Sequence, residues 1–345
     1  MEPAPTEFKT AGFVQKEGVV LEKSRADFET EGVLNPAVIE VDGTIHMFYR
    51  AVSNGNRSVI GYARLKDPLE VEYRSPVPVL EPLSGYESQG VEDPRIVKIE
   101  NTFFLTYTAY DGQHALGALA TSKDLKTFER HGIIAPRIGN REFAAAIRKC
   151  GDAHVKYLRL DQCSPLMWDK NVMLFPRLFG GKYGLLHRIR PGIQIAMVDD
   201  PRKIGPEYWV DYFDEFTSHI VLDPRYPHEM AYLGGGCPPI ETEDGWLLIY
   251  HSVRDTLDGY VYSACAALLD LEDPTREISR LPYPLFAPDR DYEMKGEVNN
   301  VCFPTGTIVR NGRLYIYYGA ADDKIACASM EMQDLLNELK ATRIP

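Results

Sequence analysis

The hydrophobic and polar positions of this chain repeat one pattern five times. In each copy a proline opens a short apolar strand, a polar turn containing Gly or Asn follows, and an aromatic-rich strand ends in Tyr or His. The copies span residues 35–51, 93–110, 174–189, 236–253 and 302–319. Alternating apolar positions on both sides of a short polar turn indicate two antiparallel strands, so each copy predicts a β-hairpin.

A third strand, rich in small residues, follows each hairpin, at 59–65, 115–122, 193–199, 262–270 and 324–330. The prolines that open successive hairpins lie 58 to 82 residues apart, a spacing that suits four-stranded units. Such a repeat predicts an all-β fold, a five-bladed β-propeller. Radial closure leaves few exposed strand edges, which favours the propeller over a sandwich or two separate domains. We expect one domain over residues 1–345, with a strand from the first 30 residues closing the ring.

The repeat lapses between residues 131 and 168. Part of this stretch, NREFAAAIRKC, has helical composition and one apolar side, so it predicts an inserted helix and loop. A lid over one face of the ring and a contact in a homo-oligomer both fit such an insertion. The tail MEMQDLLNELK predicts an amphipathic helix packed on the surface.

Charge and cysteine content narrow the classes of partner. The chain has 38 basic and 50 acidic residues, a net charge of −12, which argues against a nucleic-acid or anionic-membrane partner. The six cysteines show no CxxC spacing and are interpreted as reduced, buried thiols; they are Cys150, Cys163, Cys237, Cys265, Cys302 and Cys327. The amino terminus shows no charged leader followed by an apolar core, and no stretch approaches about 18 apolar residues. These features predict a cytoplasmic protein.

Polar residues recur at one edge of the predicted hairpins. The start of the first strand and the end of the second strand meet at the same edge of an antiparallel pair. These positions, with the loops that follow them, hold Asn35, Arg50, Arg57, Asp93, Lys170, Arg188, His251 and Asp322. Each residue alone would suit a solvated charge or a structural ion pair. Together they predict an anion site, because Arg donates forked hydrogen bonds to phosphate and Lys adds positive charge.

Asp93 is the carboxylate at this edge with the best claim to act as a general acid. Neighbouring arginines would lower its pKa and favour the ionised form, so either a bound phosphate offsets the cations or the proton is passed indirectly. No HxH or HExxH spacing indicates a metal centre, and no GxSxG motif marks a nucleophilic serine.

Ten short segments together resemble glycoside hydrolase family 130, the mannoside phosphorylases. In chain order they are GVLNPAV, FYRAV, RSVIGYA, GVEDPRI, KNVMLFP, GKYGLLHR, GGGCPPI, GWLLIYH, FPTGTIV and YYGAAD, within residues 33–328 or directly beside them. The resemblance implies a five-bladed propeller and inverting phosphorolysis of a β-mannoside to α-mannose 1-phosphate and a shortened acceptor. Inorganic phosphate is then the co-substrate, and no cofactor or metal is expected.

The resemblance also implies roles for single residues. The Asp of the EDPR segment, Asp93, is the catalytic acid, and it is thought to pass its proton through a mannose hydroxyl. The phosphate-binding basic residues of the family fall on Arg57, Lys170, Arg188 and His251. The sugar-binding residues fall on Asp322 and, as looser matches, on Asn35, Arg50, His187 and Tyr250.

The substrate linkage stays open at this point. The insertion at 131–168 is similar to that of members acting on β-1,2-mannooligosaccharides. The alternatives are phosphorolysis of β-1,4-mannosyl-glucose or β-1,4-mannosyl-N-acetylglucosamine, and a phosphate-independent β-mannosidase with Glu92, Glu241 or Glu297 as base. A propeller that only binds sugar would tolerate replacement of Asp93.

Overall fold

The computed structural model describes residues 9–83, 85–150, 156–158 and 164–342. Most of these residues lie in antiparallel strands that form the five blades of a propeller, four with four strands and one with five. Blade 1 contains β2 (Gly32–Val41), β3 (Thr44–Ser53), β4 (Arg57–Asp67) and β5 (Glu70–Arg74). Blade 2 contains β6 (Gly90–Ile99), β7 (Thr102–Tyr110), β8 (Ala115–Ser122) and β9 (Glu129–Ile133).

The three remaining blades have the same order, with two variations. Blade 3 contains β10 (Lys170–Phe179), β11 (Lys182–Arg188), β12 (Ile193–Val198) and β13 (Ile220–Leu222). In blade 4, β14 (Tyr232–Gly235) and β15 (Ile240–Thr242) share the inner edge of β16 (Gly245–Thr256), which β17 (Gly259–Leu269) and β18 (Glu277–Arg280) follow. Blade 5 contains β19 (Cys302–Arg310), β20 (Arg313–Ala320), β21 (Lys324–Glu331) and, as its outer strand, β1 (Gln15–Leu21).

The predicted closure of the ring is confirmed by the pairing of β1 with β21, in which Val19 lies opposite Ala326. The first strands of neighbouring blades contact one another around the axis. Among the described residues, each pair of adjacent blades encloses its own apolar cluster, such as Phe175 and Trp246 between blades 3 and 4. Radial packing of this kind uses both faces of every sheet, which accounts for the long runs of buried residues in the inner strands.

In the part of the chain that the structure describes, four α-helices accompany the blades: α1 (Asn140–Lys149), α2 (Pro206–Asp214), α3 (Asp291–Met294) and α4 (Met332–Ala341). Helix α1 confirms the helix predicted in the insertion, and α4 confirms the predicted tail helix. Helices α1 and α2 pack on each other against blades 2 and 3, with Phe143 edge-on to Phe213 at 5.8 Å. The rest of the insertion at 151–155 and 159–163, including Cys163, lies outside the described residues. None of the described helices is long and apolar enough to cross a membrane.

Candidate active site

Three inner strands have, within their first four residues, a polar residue in the left-handed conformation. The φ angles are +49° at Asn35, +48° at Asp93 and +58° at Asn171. The register of each strand with its hairpin partner shifts at the same points, as in a β-bulge. A bulge re-aims a side chain, and left-handed conformations of residues other than glycine are strained and cluster at functional sites. The three side chains line one cavity of about 180 Å³ at the propeller axis.

The second strand of several blades adds a side chain to the same cavity. Arg50, Arg188 and His251 each follow directly after the aromatic or His residue that ends the hairpin pattern. Successive side chains of a strand point to opposite faces. The residue before each of these side chains is therefore turned away from the axis.

The residue at this position of the second strand forms a buried hydrogen bond that recurs from blade to blade. In four blades a tyrosine hydroxyl donates to a buried glutamate that also pairs with a cation; the sets are Tyr49–Glu29–Arg74, Tyr107–Glu87–Arg130, Tyr250–Glu229–Arg280 and Tyr318–Glu293–Lys16. The tyrosine oxygen lies 2.6 to 2.8 Å from the carboxylate in each set. A buried carboxylate that is paired and hydrogen-bonded in this way fixes the end of the strand.

The sugar-pocket assignments of Tyr250 and His187 therefore do not match the structure. Tyr250 is fully buried against Glu229, and His187 is buried between Asp169 and Tyr212, so neither side chain lines the cavity. Arg57 is exposed at the start of β4 and also lies outside the cavity. Strand alternation explains the first two cases, because each residue precedes one that faces the axis.

The other predicted residues are brought together. Asn35, Arg50, Asp93, Lys170, Arg188, His251 and Asp322 all line the cavity. The structure adds Trp168, Arg190, Tyr232 and Tyr262, which the sequence analysis did not select. A sequence signal existed for Arg190, since it lies two residues after Arg188. The tyrosines come from strands flanking β16, where Val253 pairs with both Tyr232 and Tyr262, and only the register reveals them.

Asp93 is held by polar and charged neighbours in a buried setting. Its Oδ1 accepts a hydrogen bond from Asn35 Nδ2 at 2.7 Å and lies 3.7 Å from Arg50 Nη1. Arg95 spans the ring from blade 2 to the Gly236 carbonyl and donates to the Asp93 carbonyl at 2.9 Å. Burial alone would raise the pKa of Asp93, but the cations of Arg50, Lys170 and Arg95 outweigh it, so that this pKa is lowered. The carboxyl group is therefore ionised in the ligand-free protein.

The far side of the cavity is positively charged, and no carboxylate among the described residues forms an ion pair with its arginines. Arg188 is 4% exposed, and its Nε has no hydrogen-bond partner there. Burial, then the charge of Arg190, lowers the pKa of Arg188 to about 10, so the guanidinium remains a cation at neutral pH. The guanidinium of Arg190 stacks on the Tyr232 ring at 3.8 Å. The buried guanidinium of Arg188 and the half-buried one of Arg190 face the same cavity and form a site for an anion with several oxygens.

His251 lies beside these arginines in the cavity, and its ring is neutral. Burial, followed by the charges of Arg188 and the other arginines, lowers its pKa well below the usual value. Its Nδ1 has no hydrogen-bond partner among the described residues. A side chain on Gly234 would overlap the His251 ring, so glycine is required there to leave room for the imidazole. An imidazole with an unpartnered nitrogen can donate a hydrogen bond to a bound anion.

A second cavity of about 420 Å³, the outer cavity, adjoins the first, which we call the inner cavity. The two cavities share Arg50, Lys170, Trp168 and Asp322. Its outer wall includes Glu31, Asn54, Asn56, Tyr110 and Glu297. The ring of Tyr110 meets that of Trp168 edge-on at 6.4 Å. Polar groups beside an aromatic pair are typical of sites that bind the apolar face and hydroxyl groups of a sugar.

Glu92 lies at the junction of the two cavities and balances two cations. Its Oε1 accepts from Arg50 Nη2 at 2.9 Å, and its Oε2 lies 3.8 Å from Lys170 Nζ. Arg50 is thereby fixed between Glu92 and Asp93. Within the described ranges, no group of three or more His, Cys, Asp or Glu side chains is arranged to hold a metal ion.

Asp322 provides a prediction for pH dependence. Burial, helped by the charges of Asp93 and Glu92, raises its pKa to about 6. The native state then binds a proton more tightly than the unfolded chain, so the stability from this group is present below the unfolded pKa and is lost as the pH rises through about 6. We expect Asp322→Asn to unfold at nearly the wild-type temperature at pH 4 and to be more stable at pH 7, by on the order of 2 kcal/mol. Thermal unfolding of both proteins between pH 4 and pH 8 tests this, and a constant difference would contradict it.

The sequence model of a known family matches residues 13–341, and its description is beta-1,4-mannooligosaccharide phosphorylase. The chain belongs to glycoside hydrolase family 130. Two family-130 relatives from Thermoanaerobacter sp. (strain X514) are each 35% identical. One is a 1,2-beta-oligomannan phosphorylase, aligned over 92% of this chain and 96% of its own, and the other is a beta-1,2-mannobiose phosphorylase, aligned over 89% and 92%.

A solved family-130 structure shares the fold. Beta-1,2-mannobiose phosphorylase from Listeria innocua, in complex with beta-1,2-mannobiose, superposes with a TM-score of 0.74 at 25% identity. The match covers 95% of this chain and 99% of that one. The similarity therefore includes all five blades, and the chain has the architecture of a family-130 phosphorylase.

Proposed function

We propose that this protein is an inverting β-mannoside phosphorylase that uses inorganic phosphate and releases α-mannose 1-phosphate. The observation that carries the proposal is that the cations of Arg188 and Arg190, with the neutral ring of His251, line the same small cavity as Asp93. An inverting glycosidase needs room for a base-activated water opposite its acid. In this protein the corresponding space is bounded by groups that bind an anion.

Each group has a defined task in this mechanism. Phosphate bound by Arg188, Arg190, His251 and Lys170 attacks the anomeric carbon of the mannosyl unit, and the glycosidic bond breaks. The proton required by the leaving oxygen comes from Asp93. The negative charge of bound phosphate offsets the surrounding cations and raises the pKa of Asp93, so the carboxyl group holds a proton only when both substrates are present.

The sugar residues occupy the two adjoining cavities. Asn35, Arg50 and Asp322 line the inner cavity beside Asp93 and would bind hydroxyl groups of the reacting mannose. The acceptor would lie in the outer cavity beside Tyr110 and Trp168. We do not include Arg57 in the phosphate site, because its side chain is exposed. The proposed site consists of Lys170, Arg188, Arg190 and His251.

The hydrolase alternative requires a carboxylate base for water. Of the three candidates, Glu92 is engaged by Arg50 and Lys170, and Glu241 pairs with Arg177 at 3.2 Å outside both cavities. Glu297 lines the outer cavity and is the carboxylate on which a hydrolase mechanism would rest. The cationic inner cavity supports the phosphorylase over this alternative.

We further propose that the five blades form one catalytic domain and that the enzyme works in the cytoplasm. Cys237, Cys265, Cys302 and Cys327 are buried free thiols inside the blades. Burial raises the pKa of each of them, which keeps them protonated and unreactive. Reduced thiols in a sugar-phosphate-producing enzyme are typical of the cytoplasm.

The substrate we favour is a β-1,2-linked mannooligosaccharide. Two relatives at 35% identity that align over most of their own length act on β-1,2 linkages, and they support this choice over a β-1,4 linkage. We expect kcat/KM in phosphate buffer to be at least about tenfold higher for β-1,2-mannobiose than for β-1,4-mannobiose or mannosyl-glucose, the discrimination of one or two lost hydrogen bonds. Initial rates of mannose 1-phosphate formation measure this, and faster cleavage of a β-1,4 linkage would contradict the assignment.

A further inference from the structure

Blade 3 departs from the buried tyrosine and glutamate arrangement of the other four blades. At the position of the tyrosine it has His187, and the carboxylate that His187 contacts is Asp169, directly before the inner strand β10. His187 Nδ1 lies 2.7 Å from Asp169 Oδ2, and its Nε2 lies 2.7 Å from the Tyr212 hydroxyl on α2. Asp169, His187 and Tyr212 thus form one buried chain that leads from α2 to the mouth of the β10–β11 hairpin.

The donors and acceptors along this chain match one another. Burial, then the charge of Asp169, raises the pKa of Tyr212 well above its usual value, so Tyr212 keeps its hydroxyl proton. When the Tyr212 hydroxyl donates to His187 Nε2, the ring proton is on Nδ1, which donates to Asp169. The Tyr212 ring also stacks on His219 at 4.1 Å, which fixes its orientation.

The second oxygen of Asp169 acts directly on the cavity wall. Asp169 Oδ1 accepts from the backbone N–H of Arg188 at 3.0 Å, and its backbone bonds to Ala115 and Gly117 tie it to blade 2. Its chain neighbour Lys170 is paired with Arg188 across the hairpin. One fully buried carboxylate therefore fixes the backbone from which two of the cavity's cations project.

The way in which Asp169 contacts Arg188 preserves the positive charge of the cavity. A carboxylate paired with the guanidinium itself would neutralise the cation and compete with a bound anion. Asp169 instead bonds to the backbone, and the Arg188 Nε has no partner among the described residues. The residue is held in place while its donors remain available to a ligand.

We propose that Asp169, with His187 and Tyr212 behind it, is a positioning residue that sets the affinity of the enzyme for phosphate through Arg188 and Lys170. The inference rests on the proposed phosphorylase function. It assigns to His187 a role in orienting the anion site, although the residue does not touch that site.

The test is the isosteric variant Asp169→Asn, which removes the charge and changes the hydrogen-bond partners of His187. We expect its phosphate Kd, measured by calorimetry, to rise about tenfold, equivalent to about 1.4 kcal/mol. The KM for the β-mannoside should stay within about twofold, because the groups proposed to bind the reacting mannose, Asn35, Arg50 and Asp322, come from blades 1 and 5. A merely structural role would lower the melting temperature without separating the two substrates.

The matched control is Tyr107→Phe in blade 2, which removes one buried hydrogen bond to Glu87. The residue after it, Thr108, does not line either cavity, so this variant should lose thermal stability with unchanged phosphate Kd. If Asp169→Asn does not fold, Tyr212→Phe replaces it, with a smaller increase in phosphate Kd expected.

Three outcomes are distinguishable. A selective increase in phosphate Kd in Asp169→Asn or Tyr212→Phe, absent in Tyr107→Phe, supports the inference. An unchanged phosphate Kd, or an equal loss for both substrates, overturns it while leaving the phosphorylase function intact. Wild-type protein that neither binds phosphate nor requires it for cleavage overturns the proposed function and this inference together.

Discussion

Replacing Asp93 by asparagine should lower kcat for phosphorolysis by about 10²- to 10⁴-fold, the range typical of a positioned general acid. The amide cannot supply the proton, yet its oxygen can still accept the hydrogen bond from Asn35 Nδ2. Loss of the carboxylate also removes one partner of Arg50, which keeps its contact with Glu92. We therefore expect a folded protein that binds both substrates and turns over slowly.

The control for this variant is Asp199→Asn, directly after β12, where the carboxylate is 89% exposed beside Lys182. Steady-state kinetics and thermal unfolding of both variants separate the loss of chemistry from the loss of structure. Near-normal turnover of Asp93→Asn would remove the general-acid assignment.

Replacing Arg188 by methionine should abolish phosphate use while making the ligand-free protein more stable. Two charge-assisted hydrogen bonds to phosphate are each worth about 1.5 to 3 kcal/mol, so phosphate Kd should rise at least about hundredfold. The same guanidinium is buried without a carboxylate partner among the described residues, and burial of such a cation is unfavourable. Methionine fills a similar volume without that cost, and we expect a gain of about 1 kcal/mol in the free energy of unfolding.

Thermal unfolding with and without phosphate measures both effects. Phosphate should raise the melting temperature of the wild type and leave that of Arg188→Met unchanged, since a ligand stabilises only the protein that binds it. Arg276→Met, which removes an exposed guanidinium beside Asp270, should keep the phosphate effect. An equal phosphate shift in wild type and Arg188→Met would show that the anion site lies elsewhere.

The propeller could be predicted from the sequence because each blade is built from local, alternating strands. Even the long-range closure by β1 was foreseen, since an open ring would leave an exposed edge on blade 5. Helix α2 was missed, although its buried side chains Trp209, Tyr212 and Phe213 have helical spacing after Pro206. The pattern was present there, but it lay between two strands of one blade, where the repeat leads one to expect a loop.

At the candidate site, the residues assigned by the family resemblance differ from those that strand alternation places in the cavity. Strand alternation, applied strictly, excludes Tyr250 and His187 from the cavity, because each directly precedes a residue that faces the axis. It also favours Arg190, two residues after Arg188. The exposed position of Arg57 could not be read from the sequence, because the conformation of the turn before it decides where the side chain points.

The buried glutamates were not foreseen either. Each buried glutamate lies 20 to 25 residues before the tyrosine that donates to it, in the segment that leads into the blade. That near-constant spacing is a sequence signal, but an isolated Glu in a polar segment is normally solvated. Only the packing of neighbouring blades shows that these carboxylates are buried and paired.

The stoichiometry of β-1,2-mannobiose cleavage, with and without inorganic phosphate, tests the central claim most directly. We predict equal amounts of mannose and α-mannose 1-phosphate in phosphate buffer, and no cleavage when phosphate is absent. Two molecules of free mannose per bond cleaved, released at the same rate without phosphate, would contradict the account and make Glu297 the residue to examine as the base of a hydrolase.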